Sequence, residues 1–428
     1  MDLSRRTVVK GMAAAPLITA AGAALLPSQA RAATLPAAQF SLAERTGNAS
    51  GTFTQLIEGL AAALPAVGVA DVLADANRDA TRLSGAPAGV GGFSHGFTWN
   101  PGDRDAAEWI PQGVTTSADA LGAGLWPAGG KRVVLVSWYF ETDPDQDNVH
   151  EFAIDKGIRL SFVDYTSAAA PAYRHVLLVE PVRAPGGAYT YQPIRKHAGG
   201  IMWYGNLLYV VDTYKGLRVF DLEKMFQVST GLPDVCGLHS DGRHHAYDYR
   251  YVLPQTGAYD NTGTLLRFSA IGLDRASTPD SLTVSEYAYD PTTPVVDYDP
   301  AFGWNGNGQR IGTPKIVRWP LDHTNRKIAS TAASEAVTVK QGKIQGVVSR
   351  QSRHYLAASD GPTRNGSLRT VTSGADAPAT VVRLAKGCED LSFHSSEATG
   401  WAYSDSVIWN VSEYPGSRYV YAVHADGS

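Results

Sequence analysis

Between His197 and Leu222 three short apolar runs are separated by polar turns. They are Ile201-Met202-Trp203, Leu207 to Val211, and Leu217 to Leu222, with Tyr204-Gly205-Asn206 and Asp212 to Gly216 between them. Runs this short, rich in β-branched and aromatic residues and bounded by Gly, Asn and Asp, predict an antiparallel meander. The pattern recurs. Gln112-Gly113-Val114, Gly199-Gly200-Ile201, Gln345-Gly346-Val347 and Glu389-Asp390-Leu391 each open a strand. A turn and a stronger apolar strand follow: Val133 to Trp138, Leu207 to Val211, His354 to Ser359, and Ser406 to Asn410. Third strands come at Ile158 to Asp164, Leu217 to Leu222, Gly366 to Val371, and Tyr419 to Val423.

The long interval between the second and third phrases must hold a further unit, with strands at Leu265 to Ile271, Ser281 to Tyr287, and Lys315 to Trp319. Strand groups repeating about every 40–50 residues are the signature of propeller blades. We therefore expect an all-β chain folded as a β-propeller. Five blades need the fewest assumptions, and six or seven would also accommodate the sequence. A β-sandwich with insertions does not predict a repeated triplet.

Before the strands the period changes. Phe53, Leu56, Ile57, Leu60 and Leu64, then Val69, Val72, Leu73 and Ala76, fall at helical spacing on either side of Pro65. This predicts a helical hairpin over Phe53–Leu64 and Val69–Leu83. The predicted organisation is residues 1–32 as a signal peptide, 33–92 as a flexible leader plus hairpin, and 93–428 as the propeller.

The signal peptide rests on Ser4-Arg5-Arg6-Thr7-Val8-Val9-Lys10, the apolar run Gly11 to Leu26, and Ala30-Arg31-Ala32 as a small-residue cleavage site. The paired arginines resemble a twin-arginine signal, which implies export of a folded chain and secretion. No later segment is apolar for long enough to span a bilayer. A net charge of -4 argues against a nucleic-acid groove. The two cysteines, Cys236 and Cys388, are expected to form a disulfide outside the cytoplasm.

In a propeller the starts of the innermost strands ring the mouth of a central channel. Gln112, His197, Gln345, Glu389 and Asp390 stand at or near those starts, and His394 flanks the last phrase. Histidine beside a carboxylate suits general acid–base work, so Glu389, Asp390, His197 and His394 are the candidate catalytic residues. Gln112, Gln345, Trp203 and Trp304 are candidates for substrate binding. Glu389, Asp390, Gln112 and Gln345 could together offer oxygens to calcium, which takes 6–8.

Asp119, Asp164, Asp212 and Glu286, with Asp390, could supply the carboxylates of a glycosidase, although Asp beside a strand end is more often a turn residue. The cluster His239, His244 and His245 beside Asp241 matches no zinc motif and reads as a loop rim. Gly92-Phe93-Ser94-His95-Gly96 fits the nucleophile-elbow pattern but lacks the strand–helix context that the elbow needs.

The Gln-Gly-Val and Glu-Asp-Leu phrases resemble those of calcium-dependent propeller hydrolases: apyrases, gluconolactonase-like enzymes and phytase-like esterases. Two glutamines stand where that resemblance expects carboxylates. The whole chain is also similar to secreted actinobacterial propellers of unassigned activity. The resemblance implies hydrolysis of a phosphate ester, lactone or glycan at the channel mouth. The alternative is a non-catalytic propeller that recognises an extracellular glycan or protein. In either case the expected partner is a small molecule or glycan, with no nucleic acid, and the chain is expected to be a monomer.

Overall fold

The computed structural model describes residues 32–126, 130–145, 149–288, 313–375, 377–401 and 403–428. The expected signal peptide, apart from Ala32, and Trp304 lie outside these residues.

Most of the described strands form five four-stranded antiparallel sheets, here numbered I to V, each described from its innermost strand outward, with I and II joined through their outer strands. Sheet I comprises Trp109–Thr116, Val133–Phe140, Ile158–Asp164 and Ala172–Arg183. Sheet II comprises Ile201–Tyr204, Leu207–Asp212, Gly216–Asp221 and Tyr251–Asn261. Sheet III comprises Ala270–Asp274, Ser281–Ser285, Lys315–Asp322 and Glu335–Thr338. Sheet IV comprises Ile344–Arg350, Arg353–Ala358, Ser367–Thr372 and Ala379–Arg383. Sheet V comprises Cys388–His394, Val407–Ser412, Tyr419–His424 and, from far earlier in the chain, Phe93–Thr98.

The innermost strands neighbour one another in the cyclic order I-II-III-IV-V-I. This is the β-propeller. Phe93–Thr98 pairs antiparallel with Tyr419–His424, so a hydrogen-bonded clasp between the two ends of the strand region completes the ring.

The core lies in wedges between successive sheets. Trp203 and Leu208 pack in the wedge between I and II, and Trp319 and Phe268 in that between II and III. Ile316, Val347 and Leu356 pack between III and IV. Tyr355, Leu391 and Tyr421 pack between IV and V, and Trp99, Trp138 and Trp409 between V and I. Most of the aromatic residues are spent here, on flat side chains filling a flat gap.

Phe53–Ala61 forms helix α1, whose N-cap Thr52 accepts a hydrogen bond from the Gln55 N–H. Its face of Phe53, Ile57 and Leu60 covers the outer strands of sheets I and II, which pair in parallel with each other. The second predicted helix is shorter than expected: α2 ends at Ala74. After it, Arg78–Asp79 adds to the edge of sheet I and Thr81–Arg82 to the edge of sheet V. The apolar spacing stops at Ala76, and free sheet edges take up the polar residues beyond it.

Residues 33–50 do not form a detached leader. Leu42–Arg45 pairs with the outer strand of sheet II, and Phe40 and Leu42 are buried in the II–III wedge. The expected disulfide is absent. Cys388 starts the inner strand of sheet V inside the IV–V wedge, whereas Cys236 sits on a hairpin beside the helix-covered rim. Separate apolar clusters hold the two thiols, and burial pushes both upward, Cys236 to about 12. Among the described residues no helix is long and apolar enough to cross a membrane.

Candidate functional site at the channel mouth

The recurring glycine of the opening phrases has a steric cause. A Cβ on Gly113 would stand 2.9 Å from the Ile201 nitrogen, and one on Gly346 would stand 2.6 Å from the Glu389 carbonyl oxygen. Neighbouring inner strands approach too closely for a side chain there. Three of the phrases also carry a register shift, at Pro111/Val114, Ile344/Gly346 and Cys388/Leu391. Such bulges re-aim side chains, and these three fall at Gln112, Gln345 and Glu389.

A cavity of about 240 Å³ opens at this end of the ring, lined by Gln112, Lys196, His197, Asp212, Tyr214, Arg267, Tyr287 and Gln345 among others. Just behind the two glutamines lies a pair of carboxyl groups. The Gln112 amide donates to Glu413 Oε2 at 3.1 Å and the Gln345 amide to Glu389 Oε1 at 3.2 Å. Glu389 and Glu413 hydrogen-bond each other, and Tyr414 also bonds Glu413. Burial, followed by the Glu413 charge and then that of Asp390, holds Glu389 well above the ordinary carboxylate range. Burial raises Glu413 as well, so both carboxyl groups hold a proton more tightly than exposed ones do.

Across the cavity lining stands a carboxylate of opposite character. Asp212, 2 % exposed, meets Arg218 at 3.0 Å and Lys196 at 3.8 Å. The mouth therefore combines a carboxyl pair raised by burial with a carboxyl group that faces two cations.

Glu413 was not singled out from the sequence, yet a signal for it exists. In every sheet the second strand runs back to the mouth, and an acidic residue stands at or just beyond its end: Glu141, Asp212, Glu286, Asp360 and Glu413. Three of these lead directly into tyrosine, as Asp212-Thr213-Tyr214, Glu286-Tyr287 and Glu413-Tyr414. The repeat thus has a second phrase, at the start of the turn between its second and third strands.

The residues proposed from the sequence separate into groups. Gln112, Gln345 and His197 line the cavity, His197 with its ring 4.4 Å from that of Tyr139. Glu389 lies directly behind Gln345 and is 1 % exposed.

Asp390 is not at the mouth. It is fully buried, and its Oδ2 accepts from the backbone N–H groups of Ile201 at 2.9 Å and Val114 at 3.3 Å. It ties the inner strands of sheets V, II and I together, and burial raises it well above the usual range despite those donors. His394 ends the same strand at the far side of the ring, packed against Trp401 and Tyr403, and burial lowers it to about 3. Neutral and remote, it does not join the carboxyl pair.

Trp203 is core rather than binding surface. It is 5.1 Å from Trp126, and its Nε1 donates to the Gly205 carbonyl. Asp119 is buried beside the hydroxyls of Thr115 and Ser392, Glu286 bonds Lys315, and Asp164 pairs with Lys131 in a turn. Ser94 stands in the clasp strand with its Oγ 2.9 Å from His95 Nδ1, so the G-x-S-x-G match is no elbow.

The four expected calcium ligands make the following contacts. The Gln112 nitrogen is fixed as donor by two acceptors, Pro111 O and Glu413. The Gln345 nitrogen faces Glu389, and Asp390 Oδ2 faces backbone N–H groups. Asp390 Oδ1, by contrast, is buried without a hydrogen-bond partner among the described residues.

No family model and no curated protein matches the chain. Among solved structures it is similar to a GH43_1 enzyme from Xanthomonas citri, with 9% identity over 87% of this chain and 95% of that one, at a TM-score of 0.31. The same enzyme complexed with xylotriose matches at 10% identity over the same shares, also at 0.31. RS223-Beta-xylosidase matches at 9% identity over 75% and 94%, at 0.33. These proteins are glycosidases, not the calcium-dependent phosphatases and lactonases that the opening phrases resemble. Overlap at this level says nothing of this chain's reaction, which has to be argued from its own residues.

Proposed function

We propose that the protein is a hydrolase that cleaves a glycan at the channel mouth. The observation that carries this reading is the Glu389–Glu413 pair, both raised by burial, behind Gln112 and Gln345, with Asp212 facing Arg218 and Lys196 on the same cavity. Glycoside cleavage needs a carboxylic acid to protonate the leaving oxygen and a second carboxylate to act as base or nucleophile. Environments that drive two carboxyl groups apart in protonation assign those roles. Glu389 with Glu413 forms the acid unit, and Asp212 is the carboxylate. The two amides and His197 orient hydroxyl groups, and Tyr214 and Tyr287 offer ring faces to a sugar. Arg5-Arg6, the apolar run after them and Ala30-Arg31-Ala32 support a site of action outside the cytoplasm.

The second reading is a non-catalytic glycan-binding propeller, favoured by the near-complete burial of Glu389 behind Gln345. A panel of aryl glycosides, with aryl phosphates and lactones alongside, separates the two. We expect turnover of a glycoside that falls at least about 100-fold in Glu413→Gln and in Asp212→Asn, the order of a general acid–base contribution. Turnover of no glycoside, together with saturable glycan binding, would establish the binding reading.

A further inference from the structure

We propose that His239, Asp241 and His245 form a binding site for one divalent transition-metal ion, separate from the channel. The three residues lie on and around the tip of a hairpin formed by Cys236–Leu238 and His244–Ala246. Asp241 Oδ2 is 3.0 Å from His245 Nε2, and Asp241 Oδ1 is 3.4 Å from His239 Nδ1. One ligand atom from each residue lies within 4.8 Å of the other two. Donors about 2.0–2.1 Å from a tetrahedral zinc stand roughly 3.3 Å apart, so a small contraction assembles the site. Two imidazole nitrogens and one carboxylate oxygen favour Zn²⁺, Ni²⁺, Co²⁺ or Cu²⁺ over calcium and magnesium.

The hairpin holds this geometry firmly. The His239 N–H donates to the Arg243 carbonyl, and the Arg243 N–H donates to Asp241 Oδ1. At the base, Tyr191 Oη donates to the His245 carbonyl and the Leu238 N–H to Thr190 Oγ1. These anchors come from the strand Tyr189–Pro193, which extends the outer edge of sheet I. His245 is buried, while His239 and Asp241 keep the tip open to solvent. An ion there has three protein ligands and free positions for water. His244, adjacent in sequence, faces away and bonds the Tyr189 carbonyl. The sequence showed the histidines together with Asp241. What it could not show is that the turn puts His239 and His245 on one side of that carboxylate and His244 on the other.

The test uses the untagged full chain, freed of metal, titrated with Co²⁺ and followed by its visible absorption, then with Zn²⁺ in competition. The expected result is one equivalent bound, weakened at least 10-fold in His239→Ala and in Asp241→Asn. Both substitutions fall at the open tip and leave the hairpin's packed base in place. His323→Ala, at an exposed histidine elsewhere, should bind as the parent does. No saturable Co²⁺ absorption below about 0.5 mM, or equal binding by His239→Ala, would overturn the proposal.

Discussion

Two buried acidic centres flank Arg418, which donates to the Glu413 and Asp103 carbonyls, and they behave in opposite ways. At the channel mouth Glu389 faces another carboxyl group and holds its proton. Between sheets V and I, Asp103 bonds Arg159 at 2.8 Å, Tyr173 at 2.6 Å and His175 at 3.1 Å. Burial alone would raise Asp103 too, but the His175 and Arg159 interactions outweigh it and hold the carboxyl far below its usual range. Arg159 is itself clasped between the rings of Trp109 and Trp138, at 4.4 and 4.5 Å. Similar burial gives opposite protonation because the neighbours differ in sign. Asp103 is compensated by cations and hydrogen-bond donors, although Arg159 Nε is buried without a partner among the described residues, whereas the mouth pair sets one carboxyl group against another.

Removing a charge should separate the two centres most strongly. Arg159→Met removes the buried cation beside Asp103 and leaves the part-exposed Arg78 at 3.1 Å, and chemical denaturation should show a loss of up to about 3–5 kcal/mol. Glu389→Gln copies the shape of the protonated acid, keeps the Gln345 bond, and should cost less than about 1 kcal/mol. A loss there as large as that of Arg159→Met would make the mouth pair structural as well.

The pH dependence of stability should slope in opposite directions. Glu389 is raised in the folded state, so its contribution is complete below about 4.5 and is lost as pH climbs toward the folded value. Asp103 is lowered, so its contribution is present above about 3.8 and is lost as pH falls. His175, which burial followed by Arg159 lowers to about 3, adds a loss on acidification beginning near its ordinary 6.5. Urea midpoints measured from pH 4 to 9 should therefore decline less steeply on the alkaline side in Glu389→Gln, with Asp390 and Glu413 keeping part of that slope, and should keep their acid decline. An unchanged alkaline slope would show that Glu389 is not held above its ordinary range.

The smallest expected effect is that of calcium. With the glutamine nitrogens turned toward the carboxyl groups, millimolar calcium should move the melting temperature of metal-free protein by less than about 1 °C. A larger rise reversed by EGTA would show that the amides turn their oxygens inward around an ion.

How far the sequence led can be read strand by strand. The three inner strands of a sheet are short and apolar, and their phrases repeat, so they were legible. The outer strands were not. Ala172–Arg183 and Tyr251–Asn261 are long and carry Pro181 and Pro254, and Phe93–Thr98 sits in a Gly/Pro-rich stretch. Nothing local announces a partner some 320 positions away. The same holds at the site. Gln112, Gln345 and Glu389 were found through the first phrase of the repeat, but Glu413 belongs to the second, where an acid beside a turn resembles ordinary turn chemistry. Asp390 and His394 share a strand with Glu389, and only the bulge at Glu389-Asp390 and the strand's length decide that they sit deeper and at the far end.

The clasp also sets a timetable for synthesis. Thr98 Oγ1 donates to the Arg418 carbonyl across 320 positions, and every rung between Phe93–Thr98 and Tyr419–His424 spans a comparable stretch. The ring cannot close before Tyr419–His424 has been made, because that segment is the partner of the first blade strand. Until then the edge of Phe93–Thr98 that will face Tyr419–His424 has no mate, and the V–I wedge is missing one wall. Contacts of such sequence separation form slowly. A chain pulled across a membrane as it was made would therefore reach the other side with its ring still open, whereas a route that waits for release lets the last rung form first.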